Sequence, residues 1–221
     1  MTRKIFKSLI LIGSIIFISS TIADDSSFYL GISGGSAQVE GETVQEFGVL
    51  TGQSLNDDTD SYGVYAGYKL NDYFGFELEY MDLDDARKTY SLDPDVVYIV
   101  APNDTITTNI QGIKISSLFE YPFTDGFGIY GKLGMARVTM ENDLFIGAAG
   151  PGQNLSAYSS SDSEVEIIYG AGLRFELVDR LNLKIEWEKF NANSPTQTAT
   201  PNLETDVDVT LIGIKIDYLF N

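Results

Sequence analysis

Residues 205–221 read TDVDVTLIGIKIDYLFN and alternate in chemistry with a period of two. A β-strand alternates in this way when its two faces meet different environments. One face is strongly apolar, the other carries a lysine and an aspartate, and the aromatic residues gather at one end, so the segment is predicted to cross a membrane. The apolar face holds Thr210, Ile212, Ile214, Ile216, Tyr218 and Phe220, and the other holds Leu211, Gly213, Lys215, Asp217 and Leu219.

The amino terminus has a different pattern. Arg3, Lys4 and Lys7 precede a mostly apolar run at 8–18, which is followed by small and polar residues up to Ala23. A membrane-spanning helix needs about 20 apolar residues, and this run is too short. Residues 1–23 are therefore predicted to be a secretory signal peptide that is cleaved after Ala23. Residues 24–221 are long enough for one domain with a well-formed interior.

Composition excludes several functions. The formal net charge is −18, and removal of residues 1–23, which hold three bases and no acid, takes it to −21. Such a chain is not expected to bind nucleic acid. Because there are no cysteines, it can have neither disulfides nor a lipid-modified cysteine. Because there are no histidines, the commonest general base and metal ligand are missing, and we predict no catalytic, cofactor or metal site.

Segments that alternate like 205–221 recur along the chain, and their spacing has a pattern. Short connections at 71–73, 122–126 and 178–180 alternate with long ones at 40–58, 89–105, 142–163 and 192–204. Transmembrane barrels have short turns at one end and long loops at the other. The sequence therefore predicts an all-β fold, an eight-stranded antiparallel up-and-down transmembrane β-barrel. Its predicted strands are 27–39, 59–70, 74–88, 106–121, 127–141, 164–177, 181–191 and 205–220.

Periodicity alone does not show which face points outward, and a soluble lipocalin-like barrel is the alternative. Three observations favour the membrane barrel. Aromatic residues lie near both strand ends on the apolar face, as in interfacial girdles. Glycines favour the polar face, and the last strand ends in aromatics. The girdle residues are Phe28, Tyr121, Phe123, Phe127, Tyr218 and Phe220 by the short turns, and Tyr62, Tyr80 and Trp187 toward the long loops.

The segments FGFELEYMDLDD (74–85) and YGAGLRFEL (169–177), with the terminal Tyr218-Leu219-Phe220, resemble OmpA-like eight-stranded barrels of Gram-negative outer membranes. The resemblance implies an outer-membrane location and contact with its lipids and lipopolysaccharide. It also implies that the assembly machinery recognises the terminal aromatics, so Tyr218 and Phe220 are the expected assembly signal and lipid anchors. Asn221 departs from the family pattern, in which the aromatic residue is commonly last.

The inward face of the predicted barrel carries acids and bases in similar numbers at similar heights. An eight-stranded barrel is just wide enough for side chains to fill it, so we expect a lumen closed by ion pairs. A narrow or gated ion path is the alternative. The predicted lattice comprises Glu77, Glu79, Lys114, Lys132, Arg174, Lys184, Glu186, Glu188, Lys215 and Asp217.

The long loops suggest a role without naming a ligand. They are acidic, but no segment follows the spaced ligand pattern of a known calcium loop. Long loops on a rigid scaffold commonly carry recognition, so we predict a surface antigen or adhesin that contacts host or surface ligands. Some similar barrels modify lipids, but their catalysis relies on a histidine, and this chain has none. An enzyme is therefore not expected.

Overall fold

A computed structural model describes residues 26–45, 53–90, 104–146, 156–196 and 203–220. The predicted signal peptide and Asn221 lie outside these residues, so the cleavage site stays a prediction. No helix among the described residues is long and apolar enough to span a membrane.

Eight antiparallel strands close into a barrel in the order β1 to β8, which confirms the predicted fold. The terminal strands join directly, from Phe28 opposite Phe220 to Gln45 opposite Leu203. The strands are β1 Ser27–Gln45, β2 Gln53–Asn71, β3 Phe74–Tyr90, β4 Asp104–Thr124, β5 Phe127–Ile146, β6 Ser156–Val178, β7 Leu181–Thr196 and β8 Leu203–Phe220.

Three tight turns define one end of the barrel, which we call the turn end. They are two residues long, at 72–73, 125–126 and 179–180, and each begins with an aspartate. In the first, the Asn71 side-chain oxygen accepts hydrogen bonds from the backbone N–H groups of Tyr73 and Phe74, both at 2.9 Å. In the last, Arg180 has a φ of 71°. The opposite end, where the long connections lie, is called the loop end.

The strands extend further toward the loop end than the sequence predicted. For example, β6 begins at Ser156, whereas the predicted strand began at 164. Pro195, predicted to lie in a loop, belongs to β7. The predicted strands are too short because the prediction assumed that each strand keeps one apolar and one polar face along its whole length. In the structure, the apolar and polar faces exchange partway along the strands.

In the half near the turn end, apolar side chains cover the outside. Ile32, Ile115 and Ile214 expose more than half of their surface there. Aromatic rings pack against one another around the rim, as Phe28 and Phe220 do with ring centres 6.1 Å apart. The interior of this half holds the charged residues. Apolar outside and charged inside is the pattern that a bilayer imposes on a narrow barrel.

In the half near the loop end, the two faces exchange character. On β3 the inner face changes from Glu79 to Met81 and the outer face from Tyr80 to Asp82. Exposed polar residues now point outward, as Asp58, Asp60, Glu141 and Ser161 do. The interior is a packed apolar core of Ala37, Val39, Met81, Leu83, Ile110, Ala136, Val138, Met140, Ile168, Phe190, Ala192, Val207, Val209 and Leu211.

The wall of this half is interrupted at two seams. The ladder between β2 and β3 ends at Ser61 opposite Leu83, and the ladder between β6 and β7 ends at Tyr169 opposite Lys189. All other neighbouring strands remain paired. The loop-end half is therefore two four-stranded sheets, β3–β4–β5–β6 and β7–β8–β1–β2, that face each other across the apolar core.

Candidate functional site

The ten predicted lattice residues all point into the barrel, and the structure brings them together in one buried cluster. Their exposed fractions lie between 1% and 8%. Strand β3 supplies Glu77 and Glu79, β4 Lys114, β5 Lys132, β6 Arg174, β7 Lys184, Glu186 and Glu188, and β8 Lys215 and Asp217. Six of the eight strands therefore contribute to the cluster.

Two lysines form its centre. The Lys132 ammonium lies 3.2 Å from Glu186, 2.6 Å from Glu188 and 3.4 Å from Glu77. The Lys215 ammonium lies 2.7 Å from Glu79, 2.8 Å from Glu77 and 3.0 Å from Glu186. The carboxylates are thus shared between cations, so the cluster is a network and not a set of separate pairs.

The network continues on both sides of this centre. Toward the loop end, Lys114 lies 2.7 Å from Glu188 and 3.0 Å from Glu79. Toward the turn end, Lys184 lies 2.8 Å from Asp217. The Arg174 guanidinium contacts Glu120, whose other oxygen lies 3.3 Å from Lys69.

Three tyrosines line the same interior and donate their hydroxyls to the carboxylates. Tyr29 bonds Glu77 at 3.3 Å, Tyr65 bonds Asp217 at 3.0 Å, and Tyr130 bonds Glu186 at 2.8 Å. The Lys184 ammonium lies 4.3 Å from the centre of the Tyr29 ring, within cation–π range.

Each tyrosine ring lies against a glycine on the neighbouring strand. Tyr29 is paired with Gly67, Tyr65 with Gly31, and Tyr130 with Gly172. A β-carbon built on any of these glycines would overlap the facing ring. Glycine therefore lets the rings lie flat along the wall, which leaves the centre of the barrel to the lysines and carboxylates.

The charges in the network balance. Each side contributes six groups: the acids are Glu77, Glu79, Glu120, Glu186, Glu188 and Asp217, and the bases are Lys69, Lys114, Lys132, Arg174, Lys184 and Lys215. Balance matters because an unpaired buried charge is strongly destabilising.

One group of carboxylates has the spacing of a cation site. Oxygens of Glu79, Glu186 and Glu188 lie within 4.8 Å of one another. Each of the three, however, already contacts a lysine ammonium, Glu79 and Glu188 that of Lys114 and Glu186 that of Lys215. The negative charge of these carboxylates is therefore already neutralised by lysines of the protein.

The space beside the network is small where the described residues line it. Two cavities lie against the network, of about 20 Å³ beside Arg174 and Asn182 and about 30 Å³ beside Glu79 and Leu211. Each has room for roughly one or two water molecules.

The sequence prediction missed several members of the network. Glu120 could have been found, because it follows Lys114 on the same face of β4, but the predicted strand ended beside it. Lys69 also lay at the end of a predicted strand. The tyrosines were missed because an aromatic ring on an inward face has no charge to mark it. Asn182 bridges Arg174 and Asp217, a contact that depends on strand register.

The family assignment rests on a match over the whole described barrel. The family model described as the OmpA-like transmembrane domain matches residues 23–221. The chain belongs to this family. Its predicted resemblance to OmpA-like barrels is therefore confirmed, and with it the location in the bacterial outer membrane.

Individual relatives agree with this assignment. The chain is 23% identical to Outer membrane protein A of Salmonella typhi over 160 residues, which are 72% of this chain and 39% of that protein. It is 24% identical to Outer membrane protein A of Klebsiella pneumoniae over 207 residues, 93% of this chain and 54% of that protein. The chain thus spans about half or less of the length of these relatives.

A solved structure shares the fold of this OmpA-like barrel. The crystal structure of Neisserial surface protein A superposes with a TM-score of 0.53 and 13% identity, covering 89% of this chain and all of the other. At this identity the likeness shows the fold alone.

Tyr218 and Phe220 lie at the turn end of the OmpA-like barrel, and their role as lipid anchors stays a prediction. Tyr218 and Phe220 are exposed on the outer face of β8 at the turn end, and their rings touch with centres 5.0 Å apart.

We predict that Lys132→Met destabilises the barrel by about 3–5 kcal/mol, because it leaves surrounding carboxylates without their central cation. Urea unfolding in lipid vesicles, followed by the fluorescence of Trp187, the only tryptophan, measures the change. Lys189→Met is the control: Lys189 pairs with Asp208 at 3.1 Å on the outer surface, and we expect no measurable effect. Equal effects of the two substitutions would contradict the buried network.

Proposed function

We propose that this OmpA-like barrel is a non-conducting outer-membrane protein that presents a surface for recognition, as an adhesin or surface antigen does. The observation that carries the proposal is the double closure of the interior. A balanced charge network fills the half inside the membrane, and an apolar core fills the half beyond it.

The two closures work by different physics. An ion that enters the charge network must displace a lysine or a carboxylate from partners at about 3 Å. An ion that enters the apolar core must lose its water without gaining a ligand, which is costly in a low-dielectric interior. The closures lie in series along the same axis, so opening one of them does not make a pore.

A small-conductance channel is the alternative function, and planar bilayer recording tests it. We predict no stable conductance steps for the native barrel. We also predict none for Lys132→Met, because the apolar core around Phe190 remains closed. Heat-modifiable migration in detergent gels verifies that each sample is folded. Stable steps in the native barrel would show an open path and contradict both closures. Steps that appear only in Lys132→Met would show that the charge network alone closes the path.

The recognition role is supported by the outer surface of the loop-end half. The strands continue beyond the apolar outer band, and their outer faces there carry many acids and hydroxyls with few bases. The connections at 46–52, 91–103, 147–155 and 197–202 lie outside the described residues, and their predicted role in binding remains part of the proposal.

We predict that bacteria displaying the native barrel bind a host or matrix surface better than bacteria displaying a barrel with these four connections shortened to Gly-Ser linkers. Whole-cell adhesion assays measure the difference, with equal surface display verified by an epitope tag. Equal adhesion of the two strains to every tested surface would argue against recognition by the connections.

A catalytic role is not proposed. The buried carboxylates hold lysines in a balanced network, and the cavities beside them admit little more than water. The chain has no histidine to act as a general base. The network is best explained as structural.

Tyr218 and Phe220 are proposed as lipid anchors and as the signal that the assembly machinery recognises, and lipopolysaccharide as a neighbour in the outer leaflet. We predict that Phe220→Ala lowers the amount of heat-modifiable barrel in the outer membrane. Phe123→Ala is the control, since Phe123 is a comparably exposed girdle aromatic away from the terminal strand. If both substitutions lower the amount of folded barrel equally, Phe220 acts only through lipid contact and the proposed assembly signal is contradicted.

A further inference from the structure

Strand β6 has a long free edge in the loop-end half. Its ladder with β7 ends at Tyr169 opposite Lys189, yet β6 continues to Ser156 and β7 to Thr196. Each strand is still paired on its other side, β6 with β5 and β7 with β8. At about 3.3 Å per residue, the free edge of β6 over 156–168 is on the order of 40 Å long.

The direction of the backbone groups on this edge follows from the ladder. The Glu176 N–H donates to the Gly126 carbonyl at 2.9 Å, toward β5. Residues of an antiparallel strand alternate between hydrogen bonding to one neighbour and to the other. Since the β5–β6 register is uninterrupted, even-numbered residues bond to β5, and odd-numbered residues direct their N–H and C=O toward the seam.

One of these odd-numbered groups already uses a substitute partner. The Ser163 N–H donates to the Asp162 carboxylate at 2.7 Å. The Asp162 carboxylate thus accepts the hydrogen bond that a backbone carbonyl of a neighbouring strand would accept in a paired strand.

Two of the other edges at the seams, those of β7 and β3, are protected, whereas the β6 edge is not. On β7, the Leu219 N–H donates to Arg180, so odd-numbered residues of β7 face the seam, and one of them is Pro195, which has no N–H to offer. On β3, a bulge between Leu83 and Ala86 interrupts the edge, and the Thr59 hydroxyl bonds the Asp84 carbonyl at 2.7 Å. Prolines and bulges are devices that blunt sheet edges, and β6 has neither over 156–168.

We infer that this β6 edge is a docking site for an extended basic segment of a partner protein, which adds as a strand beside β6. Strand addition supplies affinity through backbone hydrogen bonds and specificity through alternate side chains. The inference deepens the proposed recognition role by assigning it a place and a chemistry.

The side chains of β6 define that chemistry. On the inner face, acids stand at alternate positions, at Asp162 and Glu164, whereas the outer face carries exposed hydroxyls at Ser159, Ser161 and Ser163. Directly opposed side chains of paired strands interact, and opposite charges stabilise the pair. A matching strand therefore has lysine or arginine at alternate positions and small polar residues between them. A second copy of β6 fits poorly, because its acids would oppose these acids.

The test uses the full chain in nanodiscs and a fluorescent peptide of alternating lysine and threonine. Ser161→Pro is the decisive variant: Ser161 is odd-numbered, so proline removes an N–H that faces the seam and leaves the β5 ladder intact. We expect the peptide to bind the native chain, and to bind Ser161→Pro at least roughly tenfold more weakly. The matched control, Ser161→Ala, keeps the N–H and should bind like the native chain.

Two further measurements separate strand addition from general attraction between charges. A peptide N-methylated at alternate amides keeps its charge and should lose binding. Hydrogen exchange of the free chain should be fast at the odd-numbered amides of 157–167 other than Ser163, and the peptide should slow it.

Binding that is insensitive to Ser161→Pro and to N-methylation would overturn the inference, as would absence of peptide binding. Protection of the odd-numbered amides in the free chain would also overturn it, because another part of the chain would then occupy the edge. Failure here is distinguishable from failure of the recognition role, since adhesion through the connections would survive Ser161→Pro.

Discussion

A charge or a backbone polar group inside the membrane must find its partner within the protein, and the rest of this structure depends on that constraint. Closure of β1 onto β8 satisfies the backbone. The same closure creates an interior too narrow for bulk water, so every charge placed there needs a counter-charge. The network around Lys132 and Lys215 meets this need with shared contacts, and tyrosines seated on glycines of the neighbouring strands supply the remaining hydrogen bonds.

Beyond the apolar outer band the constraint changes, and the fold changes with it. Water now solvates the outer face, so polar residues move outward and an apolar core fills the inside. The continuous wall is no longer required either, because water can satisfy free edges, and the barrel separates into two sheets at the β2–β3 and β6–β7 seams. One chain thus combines a membrane barrel with a water-exposed part that resembles a β-sandwich in its packing. The part of the free β6 edge whose outer face is polar, around 159–163, lies beyond the apolar outer band, where water can satisfy its backbone groups.

The sequence was informative where one environment acts on each face. Alternation in 210–220 predicted β8, the connection lengths predicted the antiparallel order, and all ten predicted lattice residues lie in the network. Specific ion pairs were not predictable, since they depend on strand stagger. The predicted strands were too short at the loop end because residues such as Val207 and Val209 are apolar on the face that was expected to be polar. In a sequence, a strand whose faces exchange in this way resembles a strand that ends. Pro195 is the one signal of a seam in the sequence, and it falls within the predicted connection at 192–204.

The central claim is that the interior is closed along its length while the outer face changes from lipid to water. Because the chain has no cysteine, single substitutions along β8 test it directly with a water-soluble maleimide on the barrel in lipid vesicles. Asp208→Cys, on the outer face beyond the apolar band, should be labelled rapidly. Val209→Cys and Leu211→Cys, in the core, and Ile214→Cys, on the apolar outer band, should stay unlabelled until the barrel is unfolded. Labelling of Leu211→Cys as fast as Asp208→Cys would reveal a water-filled lumen and contradict the account.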